Sequence, residues 1–214
     1  EFAREGANVV VADIQEQPKR GKYHEQDVVT TTVVEVEQLG SQGLFVQTDL
    51  GEEASIRRMV ETAVSHFGRL DILVNNAGMS PLYPSLPEVS EALWDKVIGV
   101  NLKGPFRLSA LAATRMAEAE GGSVINISSI AAVQPSPVEI PYGAAKAGLN
   151  ALTVGLARAF APRVRVNCIM PGPFLTDISK AWDLDAFAEN ARRSIPLQRG
   201  GEAREIVGAA LYLA

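Results

Sequence analysis

Cysteine is nearly absent: Cys168 stands alone among 214 residues. One thiol cannot build a disulfide framework or a cysteine-rich zinc site. Histidine is almost as scarce, with His24 and His66 far apart and in no ligand pattern. A surplus of basic residues is missing too, since 20 Lys and Arg against 25 Asp and Glu leave a net charge of −5. Duplex binding needs clustered cations to meet phosphates, so no nucleic-acid partner is expected. No apolar run approaches the ~18 residues of a membrane span, and no signal peptide is found, so no membrane partner is expected and the chain reads as cytoplasmic. A Gly-x-Ser-x-Gly elbow is also lacking, which disfavours a serine hydrolase. Linkers, low-complexity stretches and internal repeats are not found, and the length fits one domain over residues 1–214 with a sizeable core. Apolar residues make up 47% and charged residues 21%, the mix of a folded globular chain.

Five short apolar runs recur at wide intervals: Val9–Ala12, Leu44–Val46, Ile72–Val74, Val124–Ile127 and Val164–Ile169. They are rich in β-branched residues and nearly continuous, the pattern of strands buried on both faces. Helical segments separate them. Between Glu52 and Phe67, Ile56, Met59, Val60, Ala63, Val64 and Phe67 form one apolar stripe, and Gly68 stops it. A second helix is expected from about Ser90 to Ala119, and a third from Pro141 to Ala161. Strands alternating with helices predict an α/β fold: a doubly wound parallel sheet with helices on both faces. Such sheets bind ligands at the carboxyl ends of their strands.

Polar residues stand at those ends. Asp13 ends the first run and can accept hydrogen bonds from both ribose hydroxyls of an adenosine, or be a solvated turn residue. Asp49 follows the second and can meet an adenine or cap the next helix. The third runs into Asn75-Asn76-Ala77-Gly78, where asparagines can cross-link strands and small residues admit a ligand to the backbone. The fourth runs into Ser128-Ser129, and thirteen residues after Ser129 comes Tyr142, with Lys146 four further on. Residues at i and i+4 share a helix face, ~6 Å apart at Cβ. A cation beside a phenol favours phenolate, so Lys146 is expected to pull Tyr142 below its ordinary pKa of ~10. The fifth leads into the rigid loop Met170-Pro171-Gly172-Pro173-Phe174-Leu175-Thr176.

Taken in order, Asp49-Leu50, Asn75 to Gly78, Val100-Asn101-Leu102, Ile127-Ser128-Ser129, Tyr142-Gly143-Ala144-Ala145-Lys146, and Pro171-Gly172 with Thr176 resemble the short-chain dehydrogenase/reductase family across nearly the whole chain. The resemblance implies an oxidoreductase that moves hydride between a nicotinamide cofactor and a secondary alcohol or ketone. Tyr142 would be the acid/base, Lys146 its partner and a ligand of the nicotinamide ribose. Ser129 would position the substrate oxygen, and Asn101 would kink its helix and hold a relay water. Asp49 and Leu50 would lie at the adenine, and Asn76, Ala77 and Gly78 beside the adenosine ribose. Pro171, Gly172, Phe174 and Thr176 would lie at the nicotinamide. Asp13 implies NAD rather than NADP. A homotetramer is implied as well, with the apolar and small residues of the second and third helices offering a second packing face.

Two departures accompany the resemblance. Glu1 to Gly6 looks like the end of the family's first helix, and Leu211 to Ala214 stops before its last strand, so the expected fold is Rossmann-like without the first strand and its glycine-rich turn. The stretch Gln17 to His24 is longer than the pattern needs, and its basic residues leave NADP in play. The substrate is not specified. Ser80 to Pro84, Ala131 to Ile140 and Asp177 to Ile195 are expected to line its pocket, with Trp182 and Phe187 available. The competing readings are an NADPH-dependent 3-oxoacyl-thioester reductase and a non-catalytic dinucleotide sensor or structural subunit.

Overall fold

The structure is a computed structural model describing residues 1–17, 30–176, 179 and 183–214. Expectations that fall on 18–24, on Asp177 or on Trp182 lie outside the described residues.

All five apolar runs are strands. β1 (Val9–Asp13) pairs in parallel with β2 (Gly43–Gln47). β3 (Ile72–Asn75), β4 (Gly122–Ile127) and β5 (Val164–Ile169) lie side by side, also parallel. Among the described residues β1 bonds only to β2 and β3 only to β4, so these five strands form two hydrogen-bonded blocks.

Helices follow from the spacing of apolar side chains. A short helix, α1 (Thr32–Gln38), is capped by the Thr31 hydroxyl, which accepts from the Val34 amide. α2 (Glu53–Phe67) buries Ile56, Met59, Val60 and Ala63, and ends where Gly68 adopts φ +77°, a conformation that disfavours any side chain. α3 (Glu91–Ile98) and α4 (Gly104–Glu118) are joined by one π-helical turn over Gly99–Lys103. The single helix expected from Ser90 to Ala119 is therefore interrupted. The Asn101 side chain causes this by donating to the Val97 carbonyl at 2.9 Å, entering the ladder of backbone bonds. α5 (Ile140–Phe160) follows β4.

Two apolar clusters fill the interior. Val46, Ile56, Met59, Val60 and Leu108 join β2, α2 and α4. Ala112, Ala113, Met116, Val124, Leu156, Val164 and Val166 join α4, α5, β4 and β5. Each fully buried aliphatic side chain contributes about 1.5–3 kcal/mol, so α4, which serves both clusters, anchors one helical layer. Helix α7 (Val207–Leu213) packs on β4 and β5, and α1 packs on β1 and β2, covering the strands from the other side. Between β5 and α7 lie β6 (Phe174–Leu175), α6 (Leu184–Ser194) and β7 (Gly201–Glu202). β6 pairs with β7 in parallel. No described helix is long and apolar enough to cross a membrane.

Candidate active site

The site is assembled where β4 meets the first turns of α5. Pro141 in the first turn of α5 has no amide to satisfy, and the residues that follow put Tyr142 and Lys146 one turn apart. Ala145, Lys146, Leu149, Thr153 and Leu156 face inward, which drives the Lys146 stem into the protein. Lys146 is only 3% exposed, and its Nζ donates to the Ile127 carbonyl at 2.7 Å. The same ammonium lies 5.6 Å from the Tyr142 ring centroid, within reach of a cation–π attraction. Ser128 reinforces the join by donating to the Lys146 carbonyl at 3.2 Å.

Ser129 has extended backbone and caps the short turn Ile130–Ala132, its Oγ accepting from the Ala131 amide at 3.1 Å. Its hydroxyl is close enough to Tyr142 to favour the phenolate. Ser129, Tyr142 and Lys146 thus converge. Burial raises the Tyr142 pKa above its ordinary value; the Ser129 hydroxyl pulls it down and the Glu139 charge pushes it up. The expectation that Lys146 lowers the Tyr142 pKa is corrected here, because burial is the largest influence and the Lys146 ammonium is spent on Ile127. Lys146 instead bears the cost of burial itself, its pKa lowered to about 8. Cys168, half-buried nearby, has its thiol raised by burial.

Asn101 is wholly buried in the π turn. Its Oδ1 accepts from the Met79 amide at 3.1 Å and its Nδ2 donates to the Met79 carbonyl at 2.9 Å. Gly78 is wedged beside it: a Cβ there would lie 2.8 Å from Asn101 Oδ1 and 3.6 Å from Lys146 Nζ. Asn101, Gly78 and Lys146 are therefore neighbours.

Asn75 cross-links strands as its position implied. Its Nδ2 donates to Asn126 Oδ1 on β4 and to Ser109 Oγ on α4, both at 2.8 Å. Asn126 continues the chain to Thr153 Oγ1 at 2.8 Å, and Thr153 donates to the Leu149 carbonyl at 2.8 Å. Ser109, Asn126 and Thr153 were not singled out in the sequence. Asn126 alone carries a signal, as a polar residue inside the run Val124–Ile127.

The other candidates sit nearer the surface. Asp13 is exposed at the end of β1, with Oδ1 accepting from the Gln15 amide at 3.4 Å. Exposed Asp49 accepts from the Gly51 amide at 2.7 Å, closing a turn rather than capping α2 itself, and Leu50 is half-buried. Asn76, Ala77 and Gly78 are exposed directly after β3. The Pro171 carbonyl accepts from the Ile130 amide at 2.8 Å, tying that loop to the Ser129 turn. Gly172 is exposed between them, Phe174 belongs to β6, and Thr176 is held by Ser179, whose hydroxyl donates to its carbonyl at 2.6 Å. Phe187 lies on α6, against Gly200.

This donor set fits a dinucleotide. It combines an exposed carboxylate at a strand end, exposed backbone at Asn76 to Gly78 and a buried ammonium beside a phenol.

Comparison with known proteins agrees. The family model described as enoyl-(acyl carrier protein) reductase matches residues 1–214. Dehydrogenase/reductase SDR family member 4 of Homo sapiens is 35% identical over 217 residues, covering 99% of this chain and 73% of the relative. Glucose 1-dehydrogenase 2 of Bacillus subtilis is 31% identical over 215 residues, covering 99% of this chain and 80% of the relative. A crystal structure of a short-chain type dehydrogenase/reductase from Mycobacterium marinum superposes with a TM-score of 0.87 at 26% identity, over 100% of this chain and 80% of that one. The chain belongs to the short-chain dehydrogenase/reductase family of NAD(P)-dependent oxidoreductases, which act on small molecules.

Proposed function

We propose that residues 1–214 act as one dinucleotide-binding domain that interconverts a secondary alcohol and its ketone, with Tyr142 as the acid/base. One observation carries this reading: the Lys146 ammonium lies 5.6 Å from the Tyr142 ring, and Ser129 is close enough to bias the same phenol. In the oxidative direction Tyr142 Oη takes the hydroxyl proton of the alcohol while Ser129 Oγ holds that oxygen in place. A bound nicotinamide would supply the hydride acceptor. Lys146 would hold the nicotinamide ribose beside the ring, and Asn101 would hold the path by which the proton then leaves Tyr142. In reduction Tyr142 returns the proton to the carbonyl oxygen.

NAD is the proposed cofactor. Asp13 offers two acceptors to ribose hydroxyls and repels a 2′-phosphate. Asp49, Leu50 and Asn76 to Gly78 would hold the adenosine end, and Lys146, Pro171, Gly172, Phe174 and Thr176 the nicotinamide end. A homotetramer is proposed from the apolar residues left on α4 and α5, Phe106 at 44% exposed and Val154 at 55%. A lone thiol suits the reducing cytosol.

The test is Tyr142→Phe in the whole chain, assayed with NAD on a panel of secondary alcohols. Turnover is expected to fall about 10²–10⁴-fold, the usual contribution of a positioned acid/base. Unchanged turnover removes the mechanism. A second reading has one observation in its favour, 39% identity over 173 residues with a polyketide synthase ketoacyl reductase of Streptomyces violaceoruber. It is an NADPH-dependent acyl-thioester reductase, which strong NADPH preference and activity on 3-oxoacyl thioesters would establish.

A further inference from the structure

Helix α5 carries Tyr142, yet its N-terminus has no cap from its own N-cap residue, Glu139. An exposed first amide normally needs a partner. Here the partner comes from a distant loop: Tyr83 Oη accepts from the Ile140 amide at 3.0 Å. The same hydroxyl donates to the Pro137 carbonyl at 2.8 Å. Tyr83 itself is only 8% exposed, so its phenol is locked between two backbone groups. On the far side the 131–139 segment is pressed against the helix. A Cβ at Gly143 would lie 2.7 Å from the Pro135 Cβ and 2.8 Å from the Ala131 carbonyl oxygen.

One hydroxyl therefore joins three parts: the loop after β3, the segment after Ser129 and the first turn of the helix bearing Tyr142. The residues flanking the clamp are apolar and turned outward. Leu82, beside Tyr83, is 57% exposed, and Val138, beside Pro137, is 52% exposed. The Tyr83 side chain reaches across to the Pro137 carbonyl at 2.8 Å, so it ties the loop bearing Leu82 to the segment bearing Val138.

Resting on the proposed function, we infer that Tyr83 is a positioning residue that sets these segments as a wall against Tyr142, and that Leu82 and Val138 on it select alcohols and ketones with a sizeable apolar substituent. Loss of the hydroxyl frees both loops. The wall then moves relative to Tyr142, and binding of apolar substituents suffers more than the chemical step.

The experiment is Tyr83→Phe in the whole chain, which keeps the ring and removes only the oxygen. Hydrogen exchange over 131–143 is expected to quicken roughly tenfold. The KM for alcohols with large apolar substituents is expected to rise about 3- to 10-fold, the reach of one or two lost hydrogen bonds. The KM for NAD and for the smallest alcohols should hold. Leu82→Ser and Val138→Ser, both exposed, should reproduce the KM effect without the faster exchange. Unchanged exchange in Tyr83→Phe overturns the clamp. Faster exchange with an equal loss on every alcohol overturns the selective wall. The exchange readout does not depend on activity, so it decides the clamp even where Tyr142→Phe keeps turnover and the proposed chemistry falls.

Discussion

Lys146 Nζ donates to the Ile127 carbonyl at 2.7 Å, at the last residue of β4. This bond fixes the ammonium beside the strand end that leads to Ser129, and it explains how a charge survives at 3% exposure. One hydrogen bond only partly replaces water, so the Lys146 pKa falls from 10.5 to about 8.

That shift makes stability depend on pH. The folded chain releases the Lys146 proton near pH 8, while the unfolded chain keeps it to 10.5. Between those values the unfolded state binds more protons, so stability rises with pH. Below pH 8 the penalty is fully present, roughly 3 kcal/mol by the usual conversion. Lys146→Met is accordingly expected to raise Tm at pH 7 while abolishing turnover, even after leaving the Ile127 carbonyl unpaired at about 1–3 kcal/mol. Calorimetry at pH 7 and pH 10 checks it. The gain should shrink at the higher pH, and a lower Tm at pH 7 would count against the burial penalty.

Tyr142 titrates above its ordinary value, chiefly through burial, and Ser129 restrains the rise. Alcohol oxidation, which needs the phenolate, should therefore climb with pH on an alkaline limb. Ser129→Ala removes the hydroxyl that favours phenolate and should move that limb further alkaline, besides lowering kcat. Glu139→Gln removes a charge that raises the Tyr142 pKa and should move it the other way. Profiles of kcat/KM against pH for the three proteins give the order directly. Coincident limbs would dissociate Ser129 and Glu139 from Tyr142.

Much of this arrangement is legible in the residues. The β-branched runs mark every long strand, because strands buried on both faces need little else. Ser129, Tyr142 and Lys146 meet because strand end and helix turn are set by local spacing. The turn at Gly99–Lys103 is not legible in the periodicity, since Gly99 to Lys103 continues the helical pattern; the kink at Asn101 is implied by the family resemblance alone, and the Asn101 bond to Val97 shows its cause. Helix α1 was hidden by its Thr and Val content, which favours strand; burial of Val36 and the Thr31 cap decide it. The Lys146 effect on Tyr142 is not legible at all, because i, i+4 spacing fixes proximity but not burial.

Asn101 saturates both backbone groups of Met79 from inside the π turn. Asn101→Ala would leave those groups and the Val97 carbonyl short of a partner, each costing about 1–3 kcal/mol in a buried setting. A stability loss of several kcal/mol is expected by denaturant titration. Asn101→Asp keeps the acceptor for the Met79 amide and loses both donations, so it should lie between Ala and the parent. Equal losses for Ala and Asp would show that packing alone holds the turn.

Asp13 stands exposed at the end of β1, and in the proposed NAD site its charge would face a 2′-phosphate. Asp13→Ser removes that repulsion and the paired acceptors together. The ratio of kcat/KM with NAD to that with NADP is expected to fall at least tenfold, or about 1.4 kcal/mol. An unchanged ratio would move cofactor choice to another part of the chain.

Thr153 ends the buried polar line from Ser109 through Asn75 and Asn126. The line joins α4, β3, β4 and α5, so it fixes how the strand leading to Ser129 sits against the helix bearing Tyr142. Thr153→Val fits the same space and deletes the acceptor of the Asn126 amide. An unpaired buried donor costs about 1–3 kcal/mol, whereas Thr153→Ser keeps the oxygen and loses one methyl, about 1 kcal/mol. If the line also aligns the site, Val should lower kcat more than KM and Ser should restore it. Thermal melts separate the two costs, and kinetics of the same pair separate alignment from stability. A Val variant that is less stable yet fully active would confine the network to holding the fold.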